Sequence, residues 1–338
     1  MSNRRSASLL AGALLAMTAA GCATTTSMEA ACDKDCLAGI GEAYLAAMVA
    51  HDPAAAPFAP EYRYTENGVA LSLPDGLWRT ATGDTGYRVR VADPETGNIG
   101  FFSVVTENGD EVIVGTRLQI EDQRITEAEA VVARFDAGTT FRIEEGALDT
   151  PRLEMVSILP PAARSPREEM IDIANSYFEA LEDNDGHDVP NFADTCHRLE
   201  NGFATTNRPV PEGGTRGPAN MPCAEAFGLG YYREDTRFRD RRYPAVDEEM
   251  GLVYAMTFFD HDATVREYQL NDGRTNTVSR TAPWTWMVAE IFQIENGQIN
   301  QVEAVLLSVP YGMRPGFLTG ERRYSVKEDE IPPDVALE

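Results

Sequence analysis

Four blocks of residues occur twice in the same order, and this recurrence limits the fold more than anything else in the chain. Tyr44, Ala47 and Asp52 return as Tyr177, Ala180 and Asp185, an offset of 133. Phe58, Ala59, Glu66, Asn67 and Gly68 return as Phe192, Ala193, Glu200, Asn201 and Gly202, an offset of 134. Gly76, Arg79, Asp93, Glu95 and Gly97 match Gly230, Arg233, Asp247, Glu249 and Gly251 at an offset of 154. Gln119, Ile120, Glu121, Ile125, Glu129, Ala130 and Val131 match Gln293, Ile294, Glu295, Ile299, Glu303, Ala304 and Val305 at an offset of 174. Four ordered blocks mark a tandem duplication. The two steps of 20 in the offset place two insertions in the second copy, one between Gly202 and Gly230 and one between Val253 and Trp286.

Each copy opens with an amphipathic helix, predicted over Leu37–Ala50 and Arg167–Glu182, because apolar residues recur there at helical spacing. Strand-like segments follow, over Tyr62–Thr65, Tyr87–Ala92, Gly100–Thr106, Glu111–Glu121 and Arg124–Arg134 in the first copy. The last two are joined at Glu121-Asp122-Gln123, and in the second copy at Glu295-Asn296-Gly297, where Asn-Gly is a strong hairpin signal. Helices first and a meander of strands after is an α+β pattern. Residues 36–135 form repeat 1 and 167–317 repeat 2, with a Gly-, Pro- and Ala-containing linker at 136–166 and an acidic tail at 318–338.

Composition narrows the partners. Against 54 acidic side chains stand 29 basic ones, a net charge of −25. Phosphate-backbone binding needs clustered Lys and Arg, so nucleic acid is excluded as a partner. The N-terminus carries an address: Arg4 and Arg5, then an apolar run Leu9–Ala20, the length of a signal-peptide core and too short to span a bilayer. Thr18-Ala19-Ala20-Gly21-Cys22 is similar to a bacterial lipobox, making Cys22 the candidate acylation site; plain cleavage near Ala20–Gly21 is the alternative. On this reading 1–22 is a signal peptide, 23–35 a tether, and the chain an exported periplasmic or membrane-anchored lipoprotein that meets a membrane only through its lipid. Four cysteines remain, allowing three pairings. Cys32 with Cys36 and Cys196 with Cys223 are the expected disulfides, since neither pair has the spacing or the neighbouring histidines of a metal site.

The segments Ala43–Gly68, reading AYLAAMVAHDPAAAPFAPEYRYTENG, and Trp286–Val305 give the chain its likeness to known proteins. Helix, short helix, a strand ending in Glu-Asn-Gly, and a sheet closing on I-x-N-G-x-I-x-x-V-E-A resemble the nuclear transport factor 2-like superfamily, which includes SnoaL-like polyketide cyclases, ketosteroid isomerases and scytalone dehydratases. The resemblance implies two tandem cones, each a curved antiparallel sheet wrapped on its N-terminal helices around an apolar pocket. Single-copy relatives pair through their sheets, so it also implies an intramolecular pseudo-dimer that works as a monomeric chain.

Such pockets use a carboxylate or histidine base with a hydroxyl or acid that binds an oxyanion, which the resemblance carries to Tyr64 and Glu66. Alternation puts those two on one strand face, and Arg198 with Glu200 on one face in repeat 2. The competing reading of Glu-Asn-Gly is a turn whose Asn67 or Asn201 serves the backbone. Residues peculiar to repeat 2 are more telling. His197 stands where repeat 1 has Arg63, and His261 lies in Asp260-His261-Asp262, where flanking carboxylates would fix its tautomer. Aromatic residues gather in the same copy at Tyr231, Tyr232, Trp284 and Trp286, with Trp78 in repeat 1, and line a predicted site for a flat ligand together with Asn67, Asn201 and Arg233. Glu129 and Glu303, on closing strands opposite an Ala/Val face, are expected to be exposed. No phosphate loop, nucleophile elbow, H-E-x-x-H or dinucleotide motif appears. The expectation is a cofactor-free, metal-free isomerase, dehydratase or lyase acting by proton transfer on a small hydrophobic molecule, aromatic or polycyclic. The alternative is a non-catalytic ligand-binding or scaffold lipoprotein.

Overall fold

The structure is a computed structural model that describes residues 32–135 and 143–317. The signal peptide, Cys22, most of the tether and the acidic tail lie outside the described residues. Helix α1 (Lys34–Val49) begins where the Asp33 carboxylate accepts the Cys36 amide hydrogen at 2.9 Å, satisfying one of the free donors of the first turn. Its Leu37, Tyr44, Leu45 and Met48 share one buried face. Then follow β1 (Phe58–Glu66), β2 (Val69–Ala70), the one-turn α2 (Leu77–Thr80), β3 (Ala81–Asp93), β4 (Asn98–Glu107), β5 (Asp110–Glu121) and β6 (Arg124–Ala133). The second half repeats the series as α3 (Arg167–Glu182), β7 (Phe192–Glu200), β8 (Phe203–Ala204), α4 (Cys223–Gly228), β9 (Arg237–Asp247) and β10 (Leu252–His261). A small ribbon, β11 (Glu267–Gln269) with β12 (Thr275–Thr277), precedes β13 (Trp284–Glu295) and β14 (Gln298–Val309).

The described residues thus form an α+β chain with two six-stranded sheets of matching order, β2-β1-β6-β5-β4-β3 and β8-β7-β14-β13-β10-β9. The sheets are mixed rather than antiparallel throughout. β1 runs parallel to β6, and β7 to β14, because the chain crosses by a short helix to the far edge and meanders back in three antiparallel steps. Each half has its own core between its long helix and one sheet face.

A third core joins the other faces of the two sheets, with Val89, Phe102 and Val131 from the first against Tyr254, Met287 and Val305 from the second. Register-equivalent residues meet here. A Cβ on Gly100 would lie 2.3 Å from the Tyr254 ring, and Tyr254 holds in the second sheet the position of Gly100 in the first. Gly115 faces its own equivalent, Ala289, in the same manner. This layer overturns the expected exposure of Glu129 and Glu303. Both are buried, because the face opposite their Ala/Val neighbours meets the other sheet and not water. Arg242 grips Glu129 with two bonds of 2.9 and 2.8 Å, whereas Glu303 accepts one bond, 2.7 Å from the Tyr87 hydroxyl, and its Oε1 has no partner.

Both expected disulfides are present, Cys32–Cys36 and Cys196–Cys223, and they fit an oxidising compartment. Of the linker, 143–166 is packed and not a free spacer: Leu148, Met155 and Leu159 are buried, and the Leu159 amide donates to the Glu249 carbonyl. The two insertions lie against each other. Met221, Ala226 and Leu229 from the first pack with Leu270 and Tyr268 from the second, and the Cys196–Cys223 bond pins the first to β7.

Candidate functional site

Beneath the insertions, the second half encloses a cavity of about 340 Å³, within the roughly 300–1,000 Å³ usual for small-molecule sites. Its walls come from α3 (Tyr177), β7 (Arg198, Glu200), the turn after α4 (Tyr231, Tyr232), β10 (Phe259), β13 (Trp284, Trp286, Glu290) and β14 (Ala304, Leu306). Ser279 and Arg280, from the second insertion, stand at one side with Ser308.

Arg198 organises the polar groups. One nitrogen donates to the Tyr232 hydroxyl at 2.6 Å and another to Glu200 at 2.7 Å, while the guanidinium lies 5.2–5.5 Å from the rings of Tyr177, Phe227 and Tyr232. A buried cation held among aromatic faces and one carboxylate is a stable, oriented charge. Its Nε has no partner. Glu200 also accepts from the Thr205 hydroxyl at 3.1 Å.

Glu290 was not among the sequence-derived candidates. It sits in the middle of β13, fully buried, hydrogen-bonded to the Tyr177 side chain, and its Oε2 has no protein partner. Burial pushes its carboxyl up to about 8, with Arg198 pulling down and Glu200 adding to the rise. At neutral pH it is mostly a neutral acid, and it lines the aromatic cavity. The clue was strand alternation: Trp284 and Trp286 share a face, and the same face continues to Val288 and Glu290.

The sequence-derived residues separate into those that line the cavity and those that do not. Glu200, Tyr231, Tyr232, Trp284 and Trp286 line it. His261 lies behind that wall, buried, stacked on Trp284 with ring centroids 3.9 Å apart. Its Nδ1 is 3.2 Å from the Phe259 carbonyl, which only accepts, so Nδ1 carries a proton. Its Nε2 lies 2.5 Å from an Asp235 carboxylate oxygen. The flanking carboxylates do not orient it. Alternation sends Asp260 to the opposite face, where Arg237, Arg239 and Thr285 hold it.

His197 does not reach the cavity. Neighbours on a strand point to opposite faces, and Arg198 and Glu200 take the inner one; His197 meets Asn207 at 3.3 Å, and burial with the nearby Arg152 lowers its basicity. Arg233 is tied to the Asn184 carbonyl and the Asn271 side chain at 3.0 and 3.1 Å, so it neither lines the cavity nor forms an ion pair. Asn67 and Asn201 are structural clamps. Each has positive φ and uses its side-chain amide to exchange two bonds with the closing strand, Asn67 with Val132 and Asn201 with Leu306.

Tyr64 and Glu66 do meet, at 3.0 Å, but both oxygens of Glu66 are taken. One also accepts the Leu77 amide at 2.6 Å, starting α2, and the other pairs with Arg134 at 2.9 Å. Gly76 leaves room for this, since a Cβ there would lie 2.3 Å from Glu66. Trp78 is fully buried among Tyr44 and Phe58, with its N–H on the Tyr44 hydroxyl at 3.3 Å. By register, Tyr64, Trp78 and Thr116 of the first half stand where the second has Arg198, Tyr232 and Glu290. Indole and phenol rings occupy in one half the space that is a polar cavity in the other.

A larger open cleft of about 900 Å³ runs between β4, β5 and residues 143–149. Most of its carboxylates, including Asp110, Glu111, Glu145 and Asp149, are exposed. Among the described residues no three His, Cys, Asp or Glu side chains converge as a metal site.

The model of a protein family described as a domain of unknown function, DUF8021, matches residues 31–149 and 163–306. The chain belongs to this family. Comparison with curated proteins yields no match. The two matched stretches each cover one helix-and-sheet half, so this DUF8021 chain is a repeated unit, and its second half brings a caged arginine and a buried acid together in one cavity.

Proposed function

We propose that this chain is a cofactor-independent isomerase, dehydratase or lyase that moves protons on a small aromatic or polycyclic molecule held in the second-half cavity. The observation that carries this reading is Glu290, a fully buried carboxyl group in an aromatic wall with one oxygen on Tyr177 and the other unpartnered. Two carboxyl groups in different surroundings divide acid from base. Glu200, paired with Arg198, accepts a proton from a substrate carbon; Glu290 gives its proton to the oxygen that gains charge or leaves as water; Tyr232, with Arg198 on its hydroxyl, steadies the developing oxyanion. The matching sheet orders and the helix-first layout support reading both halves as nuclear transport factor 2-like cones paired within one chain. The leader-like start of the sequence and the lipobox-like segment at Cys22 support reading the work as periplasmic, on a lipid tether.

Deuterium exchange tests the chemistry. In D2O, the wild-type chain should accelerate exchange of the hydrogens beside the carbonyl of bicyclic aryl ketones such as 1-tetralone, read by mass spectrometry, and Glu290→Gln should lose about a hundredfold or more of that rate. Ketones that bind with neither exchange nor loss of water would move the site to the ligand-binding alternative.

A further inference from the structure

Of the two arginines that line the cavity, only Arg280 has no carboxylate partner among the described residues. Arg198 pairs with Glu200, and Asp235 lies beside His261. Glu234, beside Asp235, is pushed toward its neutral form by burial and by that neighbour. Arg280 lies 4.3 Å above the Trp284 ring and donates to the Ser308 hydroxyl at 3.0 Å, and it makes no ion pair among the described residues. Packing on the ring strips it of some water, and no carboxylate offsets that loss. In a chain with 54 acids and 29 bases, an unpaired cation over a binding wall calls for an anion from outside. The Trp284 N–H is buried without a partner in the same wall, and so is the Arg198 Nε.

We propose that the cavity mouth is a carboxylate subsite, in which Arg280 and Ser308 hold the acid group of a planar aromatic acid whose rings lie against Trp286 and Tyr232. This rests on the acid/base reading above and narrows its substrate to anionic molecules. Chemistry supports the choice of carboxylate: a guanidinium resting on a ring still presents a planar fork of N–H donors, which matches two carboxylate oxygens. The anchor at the mouth and the acid deeper in the wall would fix which ring carbon reaches Glu290.

Calorimetric titration of the whole chain with 2-naphthoate and with its uncharged counterpart, 2-naphthamide, decides the matter. The wild type should bind the naphthoate about tenfold more tightly, Arg280→Gln should abolish that preference by weakening the naphthoate alone, and Arg280→Lys should keep part of it. Equal affinities in the wild type, no binding of either probe, or a preference that survives Arg280→Gln overturns the subsite. Glu290→Gln separates the two readings, since it should keep the naphthoate preference. In the wild type, no exchange with the preference present counts against catalysis alone, and no preference with exchange present counts against the subsite alone.

Discussion

Glu290 and Glu303 share a predicament, a carboxyl group taken from water without a cation bonded to it. Burial raises Glu303 to about 7 and Glu290 to about 8, against an ordinary 4.5. Between pH 4.5 and 8 the folded chain therefore keeps protons that the unfolded chain has released, and stability falls as pH rises through that window. Glu129 acts in the opposite sense: burial pushes it up, but Arg242 and Arg117 hold it below its ordinary value, so its contribution disappears only as pH drops below 4.5. Urea midpoints should be higher at pH 5 than at pH 8.5. Glu303→Gln, which keeps the shape and still accepts from Tyr87, should add on the order of 1–3 kcal/mol at pH 8.5 and little at pH 5. Identical midpoints for both chains at both pH values would contradict this. Residue roles were the least legible part of the sequence. An acid inside a strand reads as solvent-facing, and neither Glu290 nor the Glu129–Glu303 pair carries a local mark of what covers it. The useful mark is comparative, since an offset of 174 sets Glu290 against Thr116.

At the scale of elements, the sequence was more open. Helix α3 has the bounds that its apolar spacing predicts, and the hairpin at Glu295-Asn296-Gly297 joins β13 to β14. Strand β1 begins at Phe58, earlier than alternation suggests, because its first residue pairs with Ile125 before a register shift. Its parallel course beside β6 was hidden, for periodicity reports which face a residue takes and not the direction of its neighbour. The insertions were visible only as steps in the offset, yet the second brings Ser279 and Arg280 to the cavity, and a single disulfide holds the first to β7. Replacing Cys196 and Cys223 together by Ala should remove about 3–4 kcal/mol of loop-closure stabilisation. Hydrogen exchange should then quicken across 203–230 while β3 to β6 keep their protection; uniform loosening of both halves would show that the bond stabilises the whole molecule and not this insertion.

For the whole molecule, the duplication was the most legible fact, since four blocks at rising offsets require two related halves whatever their fold. How the halves meet was not written in any one segment. The outer faces of the sheets carry apolar residues that, in a lone half, would need a partner copy. Because that surface is used inside the chain, the monomeric reading predicts the mass of one chain in sedimentation equilibrium of protein that lacks residues 1–22. An obligate higher oligomer would count against it.

Tyr254 against Gly100 shows what covalent linkage makes possible. Where identical subunits meet about a two-fold axis, a residue beside the axis confronts its own twin. Twin glycines would leave a gap there and twin tyrosines would collide; one bulky and one bare position interlock. A fused chain always delivers one of each, so at this point the packing favours the unlike half over a duplicate, and the join between them is as much a part of the packing as any side chain.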